Sequence, residues 1–189
     1  DQVGGDINAE DDCDNFGGAV SLSADGKTVA IGALANDPTV DLVDAGHVRV
    51  YYFDEDTDEW SQLGGDIDGE DNGGGNLGTS VSISSDGKTL ATGAPLTDSN
   101  GYNGGVGKVY KYKEVSMEWV QVGDDIESDC YEEEFGSWVS ISADGEIVAL
   151  GGDEYNDGLG RVKVFEYISC DDFPSEEPST SSFPSEEPS

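Results

Sequence analysis

Phe16-Gly17-Gly18-Ala19-Val20-Ser21-Leu22-Ser23-Ala24-Asp25-Gly26 decides the fold, because the same frame returns twice. It recurs as Leu77-Gly78-Thr79-Ser80-Val81-Ser82-Ile83-Ser84-Ser85-Asp86-Gly87 and again as Phe135-Gly136-Ser137-Trp138-Val139-Ser140-Ile141-Ser142-Ala143-Asp144-Gly145. The copies start about 60 residues apart, a period that signals a repeat architecture. Each continues alike, through Thr28–Ala33, Thr89–Ala94 and Ile147–Gly152. A glycine-led segment follows at Gly46–Phe53, Gly107–Lys113 and Gly160–Tyr167. Trp60–Ile67 then closes the first copy, matched by Trp119–Ile126 and, at the N-terminus, by Gln2–Ile7.

Residue type turns these segments into strands. Val20-Ser21-Leu22-Ser23 alternates apolar and polar at period two, as a half-buried strand does. Asp25-Gly26 is a two-residue hairpin signal of type I′, and Thr28–Ala33 returns as the second strand. His47–Phe53 is β-branched and aromatic on both faces, which suits a strand packed between neighbouring sheets. Trp60–Ile67 supplies a fourth strand, and no segment carries a helical apolar stripe. The expected fold is all-β: three tandem four-stranded antiparallel propeller blades, incomplete or open, with a disordered C-terminal tail. The blades fall at 8–67, 68–126 and 127–168, within a unit spanning 1–170. Gln2–Ile7 is a fourth strand with no first three before it, and Arg161–Tyr167 a third strand with no fourth after it. Residues 2–7 are therefore expected to complete the last blade. Three blades are fewer than the usual minimum of about four, so the chain reads as a fragment of a longer protein.

The frame Phe16-Gly17 with Gly32-Ala33, Gly78 with Gly93-Ala94-Pro95, and Phe135-Gly136 with Gly151-Gly152 resembles the FG-GAP repeats of integrin α-subunit propellers. Within that family it is most similar to the variant with Asp-Gly-Lys-Thr in the first hairpin and Trp-x-Gln-x-Gly in the fourth strand. The resemblance covers roughly residues 2–167 and implies a propeller used for ligand and partner binding outside the cell. Integrin-type repeats carry an Asp-x-Asp-x-Asp-Gly calcium loop between the first two strands. Here that place holds only Ala24-Asp25-Gly26, Ser85-Asp86-Gly87 and Ala143-Asp144-Gly145. One carboxylate in so short a turn cannot supply the six to eight oxygens that calcium takes, so those sites do not carry over.

Among the 189 residues, 8 Lys+Arg stand against 42 Asp+Glu, a formal net charge of −34. That balance excludes nucleic acid and anionic membrane surfaces as partners and favours metal ions, a polycationic partner, or a protein or glycan ligand. A hydrophobic content of 35% with 27 glycines suits short strands joined by many turns. No apolar run approaches the roughly 18 residues of a membrane span. The chain starts at Asp1 without a charged-then-apolar leader, which implies a removed signal peptide or a segment. Cys13, Cys130 and Cys170 leave open one disulfide with an orphan, pairing with sequence outside the chain, or three unpaired thiols.

More than half of the acids fall in the links from strand four to the next strand one and from strand two to three, which emerge on one face of a propeller. Asp66-x-Asp68 with Asp71, Asp98-x-Asn100, and Asp153 with Asp157 carry the oxygen donors and neighbouring glycines of a weak calcium site. They are the candidate metal residues, beside the plainer reading of solvated acidic loops. The cations Arg49, Lys108, Lys111, Lys113, Arg161 and Lys163 lie in third strands, where pairing with acids on fourth strands is expected. His47, the one histidine, aligns with Lys108 and Arg161 and so reads as a surface strand residue. Without a second histidine there is no Ser-His-Asp or Cys-His system and no His-based zinc site. Gly104-Gly105-Val106-Gly107-Lys108 lacks the spacing of a phosphate loop and precedes a strand. No pair of acids is singled out for glycoside cleavage.

From Asp171 the composition changes. Phe173-Pro-Ser-Glu-Glu-Pro-Ser179 repeats as Phe183-Pro-Ser-Glu-Glu-Pro-Ser189, and this 171–189 tail cannot bury a core. The expectation is a non-catalytic extracellular or cell-surface module for adhesion or ligand binding, not an enzyme. The alternatives are a calcium-stabilised module or the non-catalytic propeller part of a larger secreted hydrolase.

Overall fold

The computed structural model describes residues 1–39, 43–70, 74–98 and 101–166; Asp71, Asn100, Cys170 and the 171–189 tail lie outside them. Blade 1 is an antiparallel sheet of β1 (Phe16–Leu22), β2 (Thr28–Ala33), β3 (His47–Asp54) and β4 (Glu59–Gln62), and the two-residue β5 (Ile67–Asp68) pairs back onto β3. Blade 2 repeats it with β6 (Ser80–Ile83), β7 (Thr89–Ala94), β8 (Val106–Lys113), β9 (Glu118–Gln121) and β10 (Ile126–Glu127). Blade 3 holds β11 (Trp138–Ile141), β12 (Ile147–Gly152) and β13 (Arg161–Glu166), with one helical turn, α1 (Tyr155–Gly158), between the last two. The chain is all-β in three propeller blades, as expected. No helix among the described residues is long and apolar enough to cross a membrane.

Two local features differ from the sequence expectation. The fourth strand is broken into β4 and β5 because Gly64 turns to φ 83°, which brings the Leu63 carbonyl to the indole of the next blade. Trp119 Nε1 donates to Leu63 O at 2.7 Å, and a Cβ on Gly64 would stand 2.8 Å from that ring. The first hairpins are not type I′ turns, since Gly26, Gly87 and Gly145 take positive φ while the preceding aspartates do not. Instead the aspartate folds back. Asp25 Oδ1 accepts from Ser23 Oγ at 2.6 Å and from the Lys27 N–H at 2.9 Å, and Ser23 Oγ accepts from the Thr28 N–H at 2.9 Å. Ser84 with Asp86 and Ser142 with Asp144 make the same bracket.

The blades stack face to face. Ala30, Val48 and Val50 of blade 1 bury against Ile83, Leu90, Val106 and Tyr110 of blade 2. Ala91 and Val109 of blade 2 bury against Phe135, Val148 and Leu150 of blade 3. The glycines of the repeat frame sit where the inner strands touch: a Cβ on Gly32 would lie 2.0 Å from Gly78 O, and one on Gly93 would lie 1.9 Å from Gly136 O. No side chain fits such an approach. Each step adds hydrogen bonds, with the Ile83 N–H donating to Ser21 Oγ and the Ile141 N–H to Ser82 Oγ, both at 3.0 Å.

Residues 2–7 form no strand and lie against blade 1. Trp60 Nε1 donates to Val3 O at 3.0 Å, as Trp119 does to Leu63 one blade later. Among the described residues β13 pairs with β12 alone.

Candidate functional site

Strand pairing sets which residues of the repeat correspond. His47 faces Ala33 across the β2–β3 ladder, Val106 faces Ala94, and Arg161 faces Gly152. The counterparts of His47 are therefore Val106 and Arg161, and the sequence alignment with Lys108 is corrected. Lys108 shares its position with Arg49 and Lys163. Blade 2 has glycine at both 105 and 107, so the sequence alone does not fix which one corresponds to Gly46. His47 is also no surface residue: it is 2% exposed, enclosed at the start of β3 where β5 pairs onto it.

The realigned cations form one repeated device. Arg49 is buried and grips Asp66 with two hydrogen bonds, Nε to Oδ1 at 2.8 Å and Nη2 to Oδ2 at 2.6 Å, while Nη2 also lies 2.5 Å from Glu10. Lys108 stands between Asp125 at 3.3 Å and Glu70 at 3.6 Å. Lys163 holds Asp129 at 2.6 Å. The cations thus bind the acid that leads into their own blade as well as the acid after β4, a wider partnership than the fourth-strand pairing expected. Arg161 turns to the buried Glu133, donating Nε to Oε1 at 2.7 Å.

In blade 1 this device lies beside a second one. Asp68 pairs directly with His47 across the β3–β5 ladder, and Asp66 is held next to it by Arg49 and by Gln62 Nε2 at 2.6 Å. A ring nitrogen of His47 and a carboxylate oxygen from each of Asp66 and Asp68 lie within 4.8 Å of one another, the grouping of three metal-ligating side chains found among the described residues. His47 Nε2 is buried and finds no hydrogen-bond partner among the described residues. Burial, then the neighbouring Arg49, pushes the imidazole pKa down, which favours the neutral form that binds metals. The Arg49 hydrogen bonds hold Asp66 below the usual carboxylate range. Burial, then the charge of Asp66, pushes Asp68 up. Three carboxylates, Glu10, Asp66 and Asp68, face the single guanidinium of Arg49, an imbalance that a dication would relieve.

Of the sequence candidates, Asp66 and Asp68 are brought together and Asp98 and Asp153 are not placed with them. Asp98 Oδ1 accepts from the Asn103 N–H at 2.9 Å and orders the link between β7 and β8. Asp153 is exposed after β12, where its charge helps push the Glu134 pKa up after burial. Asp71, Asn100 and the side chain of Asp157 lie outside the described residues. Cys13 and Cys130 are free thiols. Sequence reasoning missed His47. The signal that could have found it was the register: blade 2 puts valine opposite the same pair of link acids, Asp125 and Glu127, and only blade 1 puts imidazole there.

No protein-family model and no curated protein matches the chain. Solved propeller structures do resemble it. A thermostable family-43 glycoside hydrolase aligns over 84% of this chain and 58% of its own, with 18% identity and a TM-score of 0.46. The periplasmic gluconolactonase of Pseudomonas aeruginosa aligns over 82% and 43%, with 19% identity and a TM-score of 0.44. The β-propeller domain of the trilobed protease from Pyrococcus furiosus aligns over 78% and 38%, with 13% identity and a TM-score of 0.42. The chain spans about two fifths to three fifths of these proteins. At such identities the likeness concerns fold alone and transfers no activity. It does overturn the expectation of a non-catalytic adhesion module that is not an enzyme, because lactonases and a glycoside hydrolase share the architecture on which that expectation rested. The propeller stands; the narrower FG-GAP resemblance rests on its motifs.

Proposed function

We propose that this chain is a metal-binding propeller segment that holds a divalent first-row cation on its acidic face through His47, Asp66 and Asp68. The observation that carries this is the buried His47 Nε2, without a hydrogen-bond partner among the described residues, beside two carboxylates in a locally over-acidic site. A buried polar nitrogen without a partner is costly, and a metal supplies the missing one. The donor set favours zinc or manganese over the calcium that the acidic loops alone suggest, since imidazole suits the former and calcium seeks oxygen. Three protein donors leave a coordination position for water or a substrate oxygen, the pattern of zinc sites that act on substrates. The chemistry such a site offers is polarisation of a carbonyl or activation of water, hence hydrolysis.

Isothermal titration of the chain with Zn²⁺, Mn²⁺ and Ca²⁺ tests this, with His47→Ala and Asp98→Asn as variants. The expected result is one Zn²⁺ or Mn²⁺ per chain, lost in His47→Ala and kept in Asp98→Asn. Binding undiminished by His47→Ala, or no binding of either ion, refutes the site. Hydrolysis of an activated ester or lactone by the Zn²⁺-loaded chain, absent in His47→Ala, tests the chemistry separately.

A further inference from the structure

Both ends of the blade stack present unfilled halves of the same interface. On blade 3, Trp138, Val162 and Val164 are exposed, at 58%, 69% and 65%, although Val162 and Val164 occupy the positions of the fully buried Val48 and Val50. On blade 1, Val20 and Leu22 are exposed at 64% and 57%, although they occupy the positions of Val81 and Ile83, which pack against Val48 and Val50. The two faces are the two sides of one blade-to-blade contact.

The polar parts match as well. Gly151 corresponds to Gly32 and Gly93, but the nearest atoms to its would-be Cβ are those of blade 3 itself, at 3.7 Å. Gly17 corresponds to Gly78 and Gly136, carries φ 88°, and has nothing within 4 Å of its would-be Cβ. Ser140 Oγ stands where Ser21 and Ser82 accept from the next blade, and the Leu22 N–H stands where Ile83 and Ile141 donate. Residues 2–7 form no strand here, yet they repeat one side-chain contact of the fourth-strand segments. Gln2 Nε2 donates to Asp6 Oδ1 at 2.9 Å, as Gln62 does to Asp66 and Gln121 to Asp125. Lys163 has the leading acid, Asp129, while the place of Asp66 and Asp125 falls to Asp6.

We propose that two copies of this chain associate head to tail, blade 3 of each stacking on blade 1 of the other to close a six-bladed ring. In that ring residues 2–7 of the second copy complete blade 3, with the Val3 N–H of the second copy donating to Val164 O, as the Leu63 N–H donates to Val50 O at 2.7 Å and Val122 to Val109 at 2.9 Å. Asp6 of the second copy then meets Lys163. Propellers close with roughly four to eight blades, so two copies satisfy the ring where one falls short and three overshoot. The contact is heterologous, and closure at two copies keeps it from running on into a fibre. Trp138, where blades 1 and 2 have Ala19 and Ser80, gives the face an aromatic anchor.

Sedimentation and native mass spectrometry of the 189-residue chain, in a dilution series from micromolar concentrations upward, test this. The wild type is expected at twice the mass of one chain. Gly151→Ala, whose new methyl points at the Gly17 carbonyl of the second copy, is expected as a folded monomer. Asp6→Lys is expected to dissociate at least tenfold more readily, and Asp6→Lys with Lys163→Asp to recover. A monomeric wild type at every concentration means that the blade 3 face is covered by something other than a second copy, and overturns the proposal. A dimer that survives Gly151→Ala overturns it too.

Discussion

Replacing Gly93 by alanine should cost several kcal/mol, whereas the same change at Gly151 should cost nothing in the monomer. Both glycines occupy the same place in their blades, opposite Ser80 and Trp138 in their sheets. Neither needs a positive φ. They differ only in what lies beyond. A methyl on Gly93 would stand 1.9 Å from Gly136 O and 2.7 Å from Ser80 Oγ, against an ordinary contact of 3.4 Å or more. Gly136 cannot yield by a rotamer change, because the obstacle is backbone anchored by its own N–H to Gly151 O at 3.0 Å. Blades 2 and 3 must therefore part by about 1.5 Å at this point, enough to break the hydrogen bond from Ser80 Oγ to Gly136 O at 2.7 Å. Overpacking costs about 1–3 kcal/mol where neighbours can adjust, and the lost hydrogen bond adds about 1 kcal/mol, so about 3–4 kcal/mol is expected. Gly151→Ala meets nothing nearer than 3.7 Å and should gain about 0.5–1 kcal/mol from the stiffer unfolded chain. Urea denaturation followed by tryptophan fluorescence, at concentrations where the chain is monomeric, gives both values. Equal losses for the two variants would show that the frame glycines serve chain conformation and not blade contact.

The remaining expectations concern charges and brackets. Arg49→Met should destabilise by about 2 kcal/mol, since a buried guanidinium shared by Glu10 and Asp66 is lost, the figure being discounted because both acids are partly exposed. Lys27→Met, which breaks only an exposed pair with Glu55, should leave the urea midpoint unchanged. Ser84→Ala should cost about 1–2 kcal/mol, because a fully buried hydroxyl that serves both Asp86 and the Thr89 N–H disappears; a loss no greater than that of Ser142→Ala, in an exposed bracket, would contradict this. The Ser23 and Ser142 hydroxyls hold Asp25 and Asp144 below the ordinary aspartate value of 3.8. A carboxyl whose folded pKa is depressed adds stability above its unfolded pKa and loses it as pH falls through the folded one. Stability should therefore drop on acidification below about pH 4, and less steeply in Asp25→Asn with Asp144→Asn; parallel pH profiles for the two proteins would count against the brackets.

How much of this was legible depended on whether a feature repeats. The blades could be read because glycine, Asp-Gly and tryptophan recur under a steric demand that the structure makes explicit: backbone against backbone at Gly32 and Gly93, indole against a broken strand at Gly64. The hairpin type is not legible in Asp25-Gly26, because that pair suits a type I′ turn equally well, whereas the Asp25 carboxylate caps the Lys27 N–H and braces Ser23. The sequence alignment slips in the third strand of blade 2 because Gly105 and Gly107 are both compatible with Gly46, and only ladder pairing separates them. That slip hid His47 among the cations. Asp66 and Asp68 were visible as link acids, yet their partner was not, since a single histidine has no period to announce it.

The repeat also indicates where chemistry can be sought. Positions that all three blades fill alike, such as Arg49, Lys108 and Lys163, are explained by the link acids that each cation meets in the fold. A position that the blades fill differently has no such explanation. His47 stands where blade 2 has the buried Val106, and its Nε2 meets no partner among the described residues. Trp138 breaks with Ala19 and Ser80 and puts an indole into solvent on a face whose counterparts are covered. The first departure costs hydrogen bonding and the second costs apolar exposure, and neither is offset among the described residues. A cation answers the one and a second copy the other, and because the two answers rest on different residues, each can fail alone.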